Sequence, residues 1–309
     1  MKKIWNYLKW HVINDFHPGY YLSIALFLTI SLSLNYYFDF EDDYLEVMTG
    51  YPKFLAYFVF YSVPYFFSIV LFSRFRRRED IFLTTDFWIK SLFAVTILSL
   101  DGSLPYLYDL VEYLFDPRIQ FWAYKVLVNG ISFLTIFIPI VTFYFIHDRG
   151  EGHIYGLSAR KFDSKPYFLM LAIMLPLIVA VSFNDSFLRQ YPMYKVTAAH
   201  AHLGVSEWVT VAAYEIAYGL DFVTVELLFR GLLVIGMIKI LGRGAVLSMA
   251  VLYCFLHFGK PAGEAISSIF GGYILGVIAY ETRSVWGGII VHMGIAWTME
   301  LVAFAHKTL

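Results

Sequence analysis

Long apolar runs, separated by short polar connectors, fill this chain from residue 19 almost to its end. A helix needs roughly 20 apolar residues to cross a hydrocarbon core of about 30 Å. The pattern therefore predicts an all-α fold, a polytopic transmembrane helical bundle of about eight or nine spans. The predicted spans are 19–38, 53–73, 85–100, 121–146, 167–183, 206–240, 245–258, 264–280 and 285–304.

Three of these segments have unusual lengths. Segments 85–100 and 245–258 are short for complete spans. Segment 206–240 would measure about 50 Å as one straight helix, which exceeds the hydrocarbon thickness. It must project beyond the bilayer or break, and we expect the break at Gly219. Glu226 would then lie about two turns into the inner piece.

The composition supports a membrane protein. The 309 residues are 59% hydrophobic and 15% charged, whereas soluble domains are about half apolar and a quarter charged. The formal net charge of −1 gives no reason to expect a nucleic-acid partner. Cys254 is the only cysteine, so neither a disulfide framework nor a cluster of thiolate ligands exists within one chain.

Basic residues predict the orientation of the spans, because cytoplasmic connectors are enriched in lysine and arginine. With alternating spans they fall on one side, and the acidic run 41–43 falls on the other. We therefore expect a multi-pass protein of the bacterial cytoplasmic membrane, with its N-terminus inside and its first span retained. The basic residues are Lys2, Lys3, Lys9, Arg74, Arg76, Arg77, Arg78, Arg149, Arg160, Lys161, Lys165, Lys239, Arg243 and Arg283.

The segment 225–231, with the sequence VELLFRG, places Glu226 and Arg230 inside an apolar helix. Residues four apart lie on one helical face, so an intrahelical ion pair is the simplest interpretation. Ionisable groups within the membrane are costly and usually mark function. An apolar pair would be cheaper there, so we interpret the pair as part of a functional site.

Two later apolar segments each carry one histidine, His257 and His292. Either one alone is typical of a hydrogen-bonded core residue. Together with Glu226 they form a set that activates water or binds a divalent metal such as zinc as a His2Glu site with an open position. The pair His200 and His202 lies in a polar connector, where solvation is the better interpretation.

These motifs, in this order, resemble the CPBP family. They are the run ELLFRG, the pattern Tyr253-x-x-x-His257, and Trp286 followed by His292. The family comprises the CAAX protease and bacteriocin-processing (Abi) intramembrane proteins, related to the type II CAAX prenyl endopeptidase. The resemblance covers roughly residues 150–305. It predicts N-terminal transmembrane helices in 1–150 and a protease-like domain in 151–309.

The resemblance implies peptide hydrolysis in a membrane cavity, and family labels often say metalloprotease. The family pattern has two adjacent glutamates, three residues and an arginine, then an aromatic-x-x-x-His motif and a His-x-x-x-Asn motif. The first glutamate and first histidine are thought to activate water, and the second histidine and the asparagine to stabilise the oxyanion. This chain matches the pattern at the positions Glu226, Arg230, His257 and His292.

Two positions depart from the family pattern. Val225 stands in place of the first glutamate, and Ala296 in place of the asparagine. Either Glu226 itself serves as the base, or Asp221 replaces the missing acid, because it lies one helical turn before Val225 on the same face. Glu215 is three turns from Glu226, too far along the helix axis to share its water.

The motifs and the two departures from the family pattern leave three alternative functions. The first is an intramembrane endopeptidase whose substrate is a peptide or protein, lipidated or membrane-embedded. The second is a catalytically degenerate relative that acts as a binding, scaffold or bacteriocin-immunity factor in the lipid bilayer. The third is a transporter, ranked last because the sequence has no inverted repeat and no matching pair of broken helices.

Overall fold

The computed structural model describes residues 2–104, 106–157 and 162–308. The predicted cytoplasmic residues Arg160 and Lys161 lie outside these ranges. Within them the chain forms helices and no strands, which confirms the predicted helical bundle. The α-helices are α1 (Lys2–Asp15), α2 (Pro18–Phe38), α3 (Gly50–Arg76), α4 (Thr85–Ser103), α5 (Leu107–Leu114), α6 (Gln120–Gly130), α7 (Ile138–Phe143), α8 (Lys165–Val181), α9 (Asp185–Gln190), α10 (Ala199–Leu203), α11 (Glu207–Glu226), α12 (Ile238–Leu241), α13 (Gly244–Phe255), α14 (Ala262–Thr282) and α15 (Trp286–Thr308).

Shorter helical turns connect or extend these α-helices. The π-helical segments are Glu41–Glu46, Phe133–Phe137, Tyr144–Asp148 and Leu227–Leu232. The 3₁₀ segments are Glu79–Leu83, Arg149–Glu151 and Ile235–Met237.

Five helices in the described ranges are long and apolar enough to cross a membrane, fewer than the predicted eight or nine spans. A sixth results if α4 and α5, bent by 43°, form one span. Helices α8 and α13, with 17 and 12 residues, are shorter than a full crossing. The five helices are Pro18–Phe38, Gly50–Arg76, Gln120–Asp148, Ala262–Thr282 and Trp286–Lys307.

Helix α13 lies at the centre of the bundle. All 12 of its residues are buried, and it packs between α3 and α14. A helix that is apolar all round is expected in an interior, because no face needs water. At about 1.5 Å per residue α13 is only about 18 Å long, which explains why its sequence is short for a span.

The expected break at Gly219 is wrong. Helix α11 continues through Gly219 to Glu226, and the irregularity comes later, in the π-helical segment Leu227–Leu232. A Cβ atom at position 219 would overlap the indole ring of Trp297 in α15. Gly219 thus allows α11 to pack closely against α15. It does not interrupt the helix.

The two ends of the bundle differ in charge. At the end where α2 begins, Arg76 donates a hydrogen bond to the carbonyl oxygen of Asp15, and Arg78 donates one to that of Ile240 at 3.2 Å. At the end where α2 finishes, the acidic segment Glu41–Glu46 packs against the turn that follows α13. Two arginines of the connector after α3 thus lie at one end of the bundle, and the acidic connector after α2 lies at the other.

Candidate functional site

Glu226 and Arg230 form a fully buried ion pair where α11 passes into the π-helical segment. Their side chains are 0% and 1% exposed, and Arg230 Nη1 lies 3.0 Å from Glu226 Oε1. Arg230 also stacks on the ring face of Tyr253, with its guanidinium carbon 4.3 Å from the ring centroid. Two buried charges are tolerated here because each lies next to an opposite charge or a polarisable ring.

His292 from α15 joins this ion pair. Its Nδ1 atom lies 3.1 Å from Glu226 Oε1, and its Nε2 atom lies 3.1 Å from the hydroxyl oxygen of Tyr253. The ring of Phe222 packs 4.4 Å from the imidazole, centroid to centroid. His292 therefore contacts Glu226 directly. Both of its imidazole nitrogens have a hydrogen-bond partner.

His257 lies in the turn after α13 and is held by its own chain. Its Nδ1 atom is 2.9 Å from the carbonyl oxygen of Tyr253, one helical turn earlier. Its ring meets the Tyr253 ring edge to face at 4.6 Å. Because a carbonyl oxygen only accepts, Nδ1 carries the hydrogen and the Nε2 atom keeps its lone pair. His257 is thus pre-set as a proton acceptor at Nε2.

Asp221 is half-buried on α11, one turn before Val225. The hydroxyl of Thr224 lies 3.2 Å from its Oδ1 atom. His292 and Lys260 interact electrostatically with Asp221, and both also interact with His257. Asp221 and His257 thus both lie within electrostatic range of His292 and Lys260.

The positions that depart from the family pattern serve packing in this structure. Val225 packs against the main apolar core. Ala296 is 5% exposed and contacts the cluster that contains Tyr214 and Tyr218.

The Glu215 backbone carbonyl accepts a hydrogen bond from Trp297 at 3.1 Å, so this residue belongs to the α11–α15 contact.

The predicted metal set does not fit a bound ion in this arrangement. Glu226 Oε1 and both nitrogens of His292 are committed to protein partners. Glu226 Oε2 is buried without a hydrogen-bond partner and faces Gly288, where a Cβ atom would overlap it. The α15 backbone at Gly288 thus closes one side of Oε2.

A second polar cluster was not anticipated from the sequence. Asp86, His147 and Asp148 place their ligand atoms within 4.8 Å of one another, the only such group of three in the described ranges. The ammonium group of Lys90 lies 3.2 Å from Asp86 and 2.9 Å from Asp148. That cation offsets one of the two negative charges, and His147 contacts Asp86, so the cluster is best explained as a charge network. The four-residue spacing of Asp86 and Lys90 was the available sequence signal.

The connector histidines lie on a separate short helix. His200 and His202 lie on the short helix α10, and His200 Nδ1 contacts the carbonyl oxygen of Thr197 at 3.1 Å. The local contact agrees with a connector role for this pair.

Comparison with known families agrees with the motifs. Residues 207–298 match the family described as Type II CAAX prenyl endopeptidase Rce1-like. The matched segment begins with α11 and ends within α15, so it contains Asp221, Glu226, His257 and His292. The resemblance inferred from the motifs is thereby confirmed at the level of the family. No curated protein and no solved structure gives a significant match.

Proposed function

We propose that the protein is an intramembrane endopeptidase, because residues 207–298 match the Rce1-like family. It hydrolyses a peptide bond with a water that His257 activates. The observation that carries the proposal is the Nδ1 contact of His257 with the Tyr253 carbonyl oxygen, at 2.9 Å. It leaves the Nε2 lone pair as the proton acceptor of the site. Asp221 is the carboxylate in this region that is best suited to orient the water, since it occupies the helix face of the missing first glutamate.

In the proposed reaction, water attacks the peptide carbonyl carbon while His257 Nε2 accepts one of its protons. The resulting imidazolium gives that proton to the leaving amine when the carbon–nitrogen bond breaks. The products are a carboxylic acid and an amine, so atoms and charges balance. Glu226, Arg230 and His292 fix the geometry of the site through their mutual contacts.

We expect slow turnover. Alanine at position 296 provides no amide donor for the oxyanion, and removal of one such donor costs about 10²–10³ in rate. A slow, dedicated protease for a membrane-embedded or lipidated peptide fits this expectation. The division into N-terminal helices at 1–150 and a protease-like domain at 151–309 belongs to the same proposal, as does residence in the bacterial cytoplasmic membrane.

The test is cleavage of membrane-tethered reporter peptides by purified protein in lipid nanodiscs. The proposal predicts cleavage by the parent protein, a loss of at least about 100-fold in His257→Ala and a smaller loss in Asp221→Asn. His200→Ala, on the connector helix α10, is the matched histidine control and should cleave like the parent. Persistent cleavage by His257→Ala would overturn the assignment.

A catalytically silent relative that acts as a binding, scaffold or bacteriocin-immunity factor is the second candidate. Two observations favour it: the apolar packing of Val225 and Ala296, and the complete engagement of both His292 nitrogens. In that case the parent protein cleaves no reporter, and the double variant Val225→Glu with Ala296→Asn gains activity. Measurable cleavage by the parent excludes this candidate.

A further inference from the structure

Tyr253 contacts three of the polar residues at the centre of the site, His257, His292 and Arg230. Its backbone carbonyl accepts from His257 Nδ1 at 2.9 Å, its hydroxyl lies 3.1 Å from His292 Nε2, and its ring lies under Arg230. The side chain is 4% exposed and belongs to the central helix α13. One residue thus holds both histidines and the guanidinium.

The neighbours of Tyr253 fix its ring in place. A Cβ atom at Gly272 of α14 would come 2.9 Å from the Tyr253 Cδ1 atom, so the ring lies directly on the α14 backbone. On another side, Phe229 meets the ring edge to face at 5.0 Å. The Tyr253 hydroxyl group is therefore held in one position.

The hydrogen-bond chain defines the tautomer of His292. Arg230 places a positive charge 3.0 Å from Glu226 Oε1, so this carboxylate acts as an acceptor and His292 Nδ1 donates to it. When the imidazole is neutral, its Nε2 atom has only a lone pair, and the Tyr253 hydroxyl donates to that lone pair. Both histidines of the site accordingly carry their hydrogen on Nδ1.

We propose that Tyr253 is a positioning residue that sets the tautomer of both histidines, His257 through its backbone carbonyl and His292 through its hydroxyl. The two routes are separable, because Tyr253→Phe removes the hydroxyl but keeps the carbonyl and the ring under Arg230. This variant should release His292 and leave His257 unchanged. A purely structural role for Tyr253 predicts no such asymmetry.

The experiment is nitrogen NMR of ¹⁵N-histidine-labelled protein in lipid nanodiscs, where protonated and unprotonated ring nitrogens give separate signals. His257→Gln and His292→Gln assign the signals. In the parent protein we expect both histidines with hydrogen on Nδ1. In Tyr253→Phe the His292 signals should move toward a mixture of tautomers, whereas those of His257 stay. Tyr113→Phe, which changes a tyrosine that is 87% exposed, is the control.

Three results would overturn the proposal: hydrogen on Nε2 of His292 in the parent, His292 signals that do not respond to Tyr253→Phe, or equal changes at both histidines. None of these NMR measurements requires activity, so they test Tyr253 even if the parent protein cleaves nothing.

A kinetic measurement rests on the proposed function. If the parent cleaves, Tyr253→Phe should lower kcat by up to about 100-fold, the loss that a misplaced group at the reacting centre causes, with little change in KM.

Discussion

The backbone of Gly288 in α15 lies directly against the carboxylate of Glu226 in α11, so closely that a Cβ atom at position 288 would overlap Oε2. This contact lets the neighbouring His292 reach Oε1 of the same carboxylate at 3.1 Å. The charged pair at the junction of α11 and the π-helical segment therefore meets the histidine on α15 because position 288 has no side chain.

Gly288→Ala should separate these two helices. The added methyl group displaces the carboxylate or α15 and costs about 1–3 kcal/mol, as overpacking of a rigid interior usually does. We expect a lower Tm in lipid nanodiscs, measured by intrinsic fluorescence, and loss of any cleavage. Gly271→Ala on α14 is the control, because nothing lies within 4 Å of a Cβ atom there. Equal Tm values for the two variants would contradict the contact.

Arg230→Met should destabilise the protein strongly. It leaves the Glu226 carboxylate buried beside His292 with no full positive charge, and breaking one side of a buried ion pair typically costs about 3–5 kcal/mol. Unfolding in a mild detergent–denaturant series measures this cost. The double variant Glu226→Leu with Arg230→Met removes both charges and should recover much of the loss. A double variant that is less stable than Arg230→Met would show that the two charges do not stabilise each other as proposed.

Stability should depend on the protonation of Glu41 in the acidic connector after α2. Burial raises the pKa of Glu41 from its usual 4.5 to about 7, although a hydrogen bond from Tyr57 opposes the shift. The folded state therefore holds a proton that the unfolded state releases. The free energy of unfolding should fall as the pH rises from about 4.5 through about 7, and then level off.

Glu41→Gln should remove this contribution. Thermal unfolding at pH 5 and pH 8 should give a variant close to the parent at the lower pH and relatively more stable at the higher pH. Asp43→Asn, on an exposed side chain of the same connector, is the control and should show no such difference. A Glu41→Gln effect of equal size at both pH values would show that Glu41 does not titrate in this window.

The orientation of the chain can be tested with single cysteines. Cys254 is the only cysteine, so a Cys254→Ala background contains no thiol and gives no specific labelling. Asp43→Cys and Glu79→Cys change two exposed acidic residues at opposite ends of the bundle. With the N-terminus inside, an impermeant thiol reagent should label Asp43→Cys in intact cells and reach Glu79→Cys only after lysis. The reverse pattern would invert the predicted topology.

Local features of the sequence determined the helical class and the main marker of the site. Hydropathy predicted helical segments that the described ranges contain, because membrane crossing depends on runs of apolar residues. The four-residue spacing of Glu226 and Arg230 predicted their contact, because it depends only on the helical repeat. The order of motifs led to the family that residues 207–298 match.

Tertiary structure decided the rest, because packing between helices is not encoded in local periodicity. Gly219 looked like a helix break, but α11 continues there because Trp297 fills the space beside it. Tyr253 was visible in sequence only as the aromatic residue of a motif, yet its hydroxyl reaches His292 across 39 positions of the chain. The sequence by itself placed ionisable groups in the membrane. Only the packing of α11, α13 and α15 determined which atoms of those groups are committed to one another.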